Sequence, residues 1–296
     1  MGIRLKWDSQ ADQNLDAMEI YRSSSPIDSK APGTPLATLA GTATEYEDTT
    51  VTNKSIYYYR ICGVKGSERA WGANTTTGYF SETGPGRTVP FRGDWNSGYM
   101  DTVNVSDLIT PADLLAKVPA LGNFGARGNF TQWYKMCYKG KVLFFPNTYI
   151  VVATWNELYN AGLMFGEAGN GQTPAGVPSP ATPQRTVVNI NGLEYILRAP
   201  KLSNLPYSQY LTNQADTIGS EWRSTMTRLL RISLEPQDGA LPRLYDNTAT
   251  TGTLGPHLSS STGTAIHMAA APASLLTGGA LTTRVTTALV LELVMP

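Results

Sequence analysis

The chain has 296 residues, 23 basic and 23 acidic side chains, and therefore no net charge. That balance speaks against a nucleic-acid binder, which carries a basic surplus or stripe. Only 16% of residues are charged, glycine and proline are abundant, and no apolar run is long enough to span a membrane, so a β-rich, loop-rich protein is expected.

Ile3-Arg4-Leu5-Lys6-Trp7 alternates apolar and basic, which predicts a strand with one buried face. Asp8 to Asn14 reads as a turn. Met18 to Arg22 predicts a second strand, stopped at Ser23-Ser24-Ser25-Pro26. A short strand is expected at Leu36 to Leu39, and Glu45-Tyr46-Glu47-Asp48 leads toward a turn at Asn53. Ser55 to Gly66, SIYYYRICGVKG, is the strongest strand signal, because β-branched and aromatic residues suit a pleated, half-buried surface. Period two puts Tyr57, Tyr59, Ile61 and Gly63 on one face, and Ile56, Tyr58, Arg60, Cys62 and Val64 on the other. We read it as the central strand of a β-sandwich over residues 1–90. Thr75 to Phe80 is the last strand expected there.

Leu5-Lys6-Trp7, Ile20-Tyr21-Arg22-Ser23 and Tyr57-x-Tyr59-Arg60-Ile61-x-Gly63-Val64 together resemble a fibronectin type III module. The resemblance implies that Trp7 packs in the sandwich core. It implies that Tyr57 is the corner tyrosine, whose hydroxyl bonds back to upstream backbone. That family has a strand before the tryptophan strand, and six residues precede Trp7 here. The resemblance thus implies a first strand that is absent, shortened or supplied by another chain. The edge from Ile3 to Trp7 is then expected to pair with a neighbouring subunit or with the C-terminal region. Tyr57 and Tyr59 are expected in core and corner packing. Tyr58, on the opposite face, is open to a carbohydrate-stacking role.

Ser81 to Arg87 is breaker-rich and reads as a linker, so the boundary is placed at residue 90. Arg92-Gly93-Asp94 beside Trp95 reads as a packed turn that matches an integrin motif by chance. A second, β-rich domain with a few short helices (α+β) is expected over residues 91–296. Thr110-Pro111 with Asp113 predicts a helix start, and Pro119 its stop. Lys139-Gly140 predicts a hairpin between Asn129–Tyr138 and Lys141–Phe145. Thr154 with Glu157 predicts a capping box, ended by Gly162. Asn191-Gly192 predicts a second hairpin. Ser220 to Leu230 reads as a helix, with Trp222, Met226, Leu229 and Leu230 on one face and Arg223, Arg228 and Arg231 around it. Long loops are expected at about 169–185 and 246–265, and Thr283–Val285 with Ala288–Val294 closes the chain as strand.

Gly93 to Tyr99, Lys139 to Phe144, Trp155 to Tyr159, Gly192 to Arg198, Gly219 to Trp222 and Leu289 to Val294 resemble, as an ordered set, a domain of tailed-bacteriophage virion proteins. The resemblance implies a structural part of the particle, made in the host cytoplasm and resident in the virion. The pattern often carries aromatics before its closing Leu-Glu-Leu. Here that stretch is Thr286-Thr287-Ala288.

No catalytic constellation, metal site or cofactor motif is read from the sequence. Cys62 and Cys137 stand too far apart for a zinc or redox motif and read as reduced, buried thiols. His257 and His267 read as solvated or hydrogen-bonding. Gly122 to Gly128 lacks the Lys-Ser/Thr of a phosphate loop. Glu157, Glu167 and Glu221 read as caps and surface charges. The interaction candidates are Trp7, Tyr57, Tyr58, Tyr59, Trp95, Trp155, Trp222, Arg223 and Arg228, since aromatics and arginine are enriched at interfaces. The expected role is a decoration, collar, baseplate or tail-fibre protein. Its expected partners are other virion proteins and copies of itself, with no nucleic acid and no membrane. The alternative is an adhesin for a host receptor or surface glycan. An enzyme acting on surface polysaccharide is the third reading.

Overall fold

The computed structural model describes residues 2–173, 181–207, 209, 211, 214–227, 252–258, 264–269 and 276–294. The chain divides into two compact units, Met1–Glu82 and Thr83–Pro296. It is mainly β, with antiparallel sheets and a few short helices. Among the described residues, no helix is long and apolar enough to cross a membrane.

The first unit holds Ile3–Lys6 (β1), Ala17–Ser23 (β2), Ala37–Ala40 (β3), Glu45–Asp48 (β4), Ser55–Lys65 (β5), Glu68–Trp71 (β6) and Thr75–Tyr79 (β7). β1 pairs with β4, and β3-β2-β5-β6 forms the larger sheet, with β7 also on β5. β5 is therefore central, because β2 takes one edge while β6 and β7 share the other. Ile3, Ile20 and Tyr59 are buried between the sheets, with Leu5, Trp7, Tyr57 and Ile61 packed against them. The opposite face of β5 buries Cys62 beside Tyr21 and Ile27. The sequence reading has no strand at Glu68–Trp71. It forms because the chain reverses at Gly66, with φ +57, and Trp71 closes on Tyr21 at 5.0 Å. The Tyr57 hydroxyl accepts the Thr52 backbone N–H at 2.8 Å, which pins the loop before β5.

Among the described residues, β1 pairs with β4 alone, and the C-terminal strand lies inside a sheet of the second unit.

The second unit holds Arg92–Asp94 (β8), Ser97–Asn104 (β9), Pro111–Lys117 (α1), Ala126–Arg127 (β10), Gln132–Tyr138 (β11), Lys141–Pro146 (β12) and Val151–Ala153 (β13). It continues with Trp155–Asn160 (α2), Val187–Ile190 (β14), Leu193–Arg198 (β15), Gly252–Leu258 (β16), Thr264–Ala269 (β17), Leu276–Ala280 (β18), Val285–Thr287 (β19) and Val290–Leu293 (β20). Seven strands form one sheet in the order β14-β15-β20-β12-β11-β9-β8. β10-β13-β19 and β16-β17-β18 form two smaller sheets. The last strand thus enters the middle of the main sheet, between β15 and β12.

Local chemistry explains these elements. Thr110 accepts the Asp113 N–H at the start of α1, with Pro111 in its first turn. Thr154 and Glu157 complete a reciprocal capping box on α2. Asn191 and Gly192 both take positive φ, which a two-residue hairpin turn between twisted strands requires.

Three expectations need correction. The boundary expected at residue 90 falls earlier, after Glu82, because residues 83–90 belong to the second unit. The buried Lys135 ammonium holds them, donating to the Thr83 hydroxyl at 3.0 Å, the Gly84 carbonyl at 3.1 Å and the Arg87 carbonyl at 2.8 Å. Lys135→Met removes that donor, and each buried acceptor left unmade costs about 1–3 kcal/mol. We expect trypsin to cut at Arg87 faster in this variant than in the wild type. Equal rates would mean that the anchor lies elsewhere.

The helix expected from Ser220 is not a regular α-helix. Arg223–Thr227 is a π-helix, and Trp222 and Met226 are still buried. The Thr225 hydroxyl donates to the Glu221 carbonyl at 2.7 Å, the kind of side-chain competition that distorts helices. Arg228, Leu229, Leu230 and Arg231 lie outside the described residues. Finally, the loop expected at about 246–265 contains β16. Leu254 and Leu258 anchor it in the core, and the ladder to β17 slips between them, across Gly255-Pro256. A strand interrupted this way shows no alternation in sequence. In the other expected loop, residues 169–173 and 181–185 carry no helix or strand.

Candidate functional site

Strand parity builds the main charged cluster. Lys141, Leu143 and Phe145 share one face of β12, Val290 and Glu292 share that face of β20, and Arg198 stands opposite Val290 on β15. Three adjacent strands therefore present Arg198, Glu292 and Lys141 to the same side. Glu221 arrives from the segment that packs Trp222 over this face.

Arg198 is 1% exposed and binds Glu221 through two parallel bonds of 2.8 and 2.6 Å. Its Nε also donates to Glu292 at 2.8 Å, and Nη1 to the Ala199 carbonyl at 3.0 Å. Lys141 meets the other Glu292 oxygen at 2.7 Å. The Lys201 backbone N–H donates to Glu221 at 3.1 Å, and its ammonium meets Glu167 at 2.6 Å. Tyr207 donates to Glu167 at 2.9 Å. Gly166 takes φ +71 against the Arg198 side chain, where a Cβ would overlap Cδ. That glycine is what lets the arginine lie flat.

Three carboxylates face three cations, so the cluster is neutral as a whole. Burial works against charge on both Arg198 and Glu292. The two carboxylates nevertheless raise the Arg198 value, and Arg198 and Lys141 draw Glu292 down to about 2. At Glu167 burial raises the carboxyl, and Lys201 and Tyr207 outweigh it. Glu292 and Glu167 are held ionised by fixed donors, which is the state of a brace rather than of a general acid or base.

The sign for Glu292 is that of a depressed carboxylate. Its contribution to stability is whole above the ordinary value of 4.5 and is lost as the pH falls toward 2. We expect the acid-unfolding midpoint of the second unit to shift upward in Lys141→Met, measured by tryptophan fluorescence against pH. An unchanged midpoint would remove Lys141 from the account.

An aromatic chain runs beside the brace. Trp155 stacks on Tyr159 at 5.4 Å, Phe165 meets Tyr207 at 4.9 Å, and Tyr207 meets the His257 ring at 5.1 Å. The sequence reading leaves His257 solvated or hydrogen-bonding, and the structure buries it completely. Its Nε2 lies 2.9 Å from the Leu205 carbonyl, so that nitrogen carries the proton, and burial lowers its pKa and keeps the ring neutral. His267 lies on β17.

The interaction candidates do not gather in one place. Tyr59, Trp95, Trp155 and Trp222 are all at most 3% exposed and serve the cores. Trp155 donates to the Gly255 carbonyl at 3.2 Å, and Trp222 packs edge-on against Phe145. Trp7, Tyr57 and Tyr58 are half-buried in the first unit. Arg223 is half-buried and donates to Thr217 at 2.9 Å. Asp94 caps the turn at Trp95 by accepting the Asn96 and Ser97 N–H groups, which makes the Arg-Gly-Asp stretch a packed turn. Cys62 and Cys137 are buried and unbridged.

Arg198 and Glu292 are absent from the sequence candidates. Their signal was a charge embedded in an apolar strand, Leu193–Arg198 and Val290–Leu293. Among the described residues, no three His, Cys, Asp or Glu side chains converge as metal ligands would. No family model, curated protein or solved structure matches this chain.

Proposed function

We propose that this chain is a structural component of a tailed-phage virion, a decoration, collar, baseplate or tail-fibre protein that works through protein–protein contacts. The observation that carries this reading is where the ordered virion-like motifs fall. Gly93–Tyr99, Lys139–Phe144, Gly192–Arg198 and Leu289–Val294 supply β8, β9, β12, β15 and β20 of one sheet. Trp222, from the Gly219–Trp222 motif, packs on that sheet through Phe145. Stretches scattered over the sequence thus make one continuous body.

The first unit supports a fibronectin-like display module. With β1 matched to the family's tryptophan strand, β5 falls where the corner tyrosine belongs. Tyr57 makes the backward hydroxyl contact that position calls for. The interlocked charges around Arg198 suit a part selected for rigidity.

Co-sedimentation of the pure protein with isolated particles lacking it tests the proposal. Saturable, stoichiometric binding is expected. Binding to host cells or glycan arrays without binding to particles would replace it with the adhesin reading.

A further inference from the structure

The sheet edges of this chain are not alike. β1 and β4 carry Arg4, Lys6, Glu45 and Glu47. β8, at one end of the main sheet, is three residues long, has Arg92 and Asp94, and is kinked by Gly93 at φ +74. Charge, shortness and kinks are how proteins keep edges unpaired. β14, at the other end, is four residues long and has neither charge nor kink. It reads Val-Val-Asn-Ile, with neither charge nor proline, and Val187 is 38% exposed.

The ladder shows which groups this edge offers. The Leu197 N–H bonds to the Thr186 carbonyl, so Val188 and Ile190 turn their backbone groups toward β15. Val187 and Asn189 turn theirs outward. Arg185 and Glu194 are exposed and opposite in charge, and neither side chain has a partner among the described residues. Alternation puts Arg185, Val187, Asn189 and Glu194 on one face.

We infer that β14 is a self-association edge, occupied by β14 of a second copy in antiparallel, two-fold pairing. With Val188 opposite its own mate, Val187 of each copy faces Asn189 of the other. The outward backbone groups then complete each other, and the two main sheets become one. In this register Arg185, two residues before β14, lies on the same face as Glu194 of the other copy, which stands beside Asn189 on the next strand, so opposite charges approach each other twice. No like charges are brought together by this register. This inference rests on the reading of the chain as a repeated structural part and names how two copies meet.

The test is sedimentation velocity on the full chain. A concentration-dependent dimer is expected. Val187→Lys, at an exposed position, should weaken dimerisation at least about ten-fold with unchanged circular dichroism. Arg185→Glu should weaken it, and Arg185→Glu with Glu194→Arg should restore it. A monomeric wild type, or a dimer indifferent to Val187→Lys and to the charge swap, would overturn the inference. So would a Val187→Lys protein that still dimerises and loses only particle binding, since the edge would then belong to another protein. Particle binding by a strictly monomeric wild type would sink this inference and leave the virion reading standing.

Discussion

Arg198→Ala is expected to destabilise the second unit by about 3–5 kcal/mol, the usual cost of breaking a buried ion pair from one side. The cause is what the substitution leaves behind. Glu221 is 1% exposed and would lose both of its strong bonds from the guanidinium. Glu292 would retain Lys141 alone as its cation. A carboxylate stranded in a low-dielectric core must take up a proton or admit water, and either reduces stability. Arg198→Met with Glu221→Met should cost less than the sum of the two single changes, because the second change removes the stranded charge. Hydrogen exchange at the β20 amides reads this unit directly, without assuming that both units melt together. A cost below about 1 kcal/mol would mean that the cluster is solvated and braces nothing.

Asp48→Ala should cost the first unit about 2–4 kcal/mol, because the buried Tyr59 hydroxyl and three part-buried donors lose one acceptor. Asp48 is fully buried and accepts from the Tyr59 hydroxyl at 2.6 Å, Arg22 at 2.7 Å, and the Thr50 hydroxyl and N–H at 2.7 and 2.9 Å. Burial pushes its carboxyl upward, but the bonds from Tyr59, Thr50 and Arg22 prevail and hold it below the ordinary value of 3.8. Its contribution is therefore whole above that value and fades as the pH drops through the lowered one. Tyr59 is 1% exposed, so its hydroxyl has no water to turn to. Tyr59→Phe with Asp48→Ala should again cost less than the sum. Thermal melts of the single and double variants measure this, and strict additivity would contradict a shared network.

What could be read from the sequence was local. Thr110-Pro111, Thr154 with Glu157, and Asn191-Gly192 each settle a cap or a turn within a few residues, and all three form. The alternation from Tyr57 to Ile61 likewise assigned the core face of β5. The charged brace was hidden because Arg198 and Glu292 lie 94 residues apart. Their meeting depends on β20 entering the sheet between β15 and β12, which no local pattern encodes. His257 was hidden for a related reason. Its Gly/Thr/Ser-rich surroundings look like loop, yet two leucines and a slipped ladder make them a buried strand. Trp95, Trp155 and Trp222 looked like contact residues because tryptophan is common both at interfaces and in cores. Burial decided for the core.

We propose that the chain is part of a particle and acts by contact. Quantitative mass spectrometry of purified virions, counted against a known capsid protein, tests it most directly. A fixed, stoichiometric number of copies per particle is the expected result. Virions free of the chain, in infected cells that contain it, would contradict the claim.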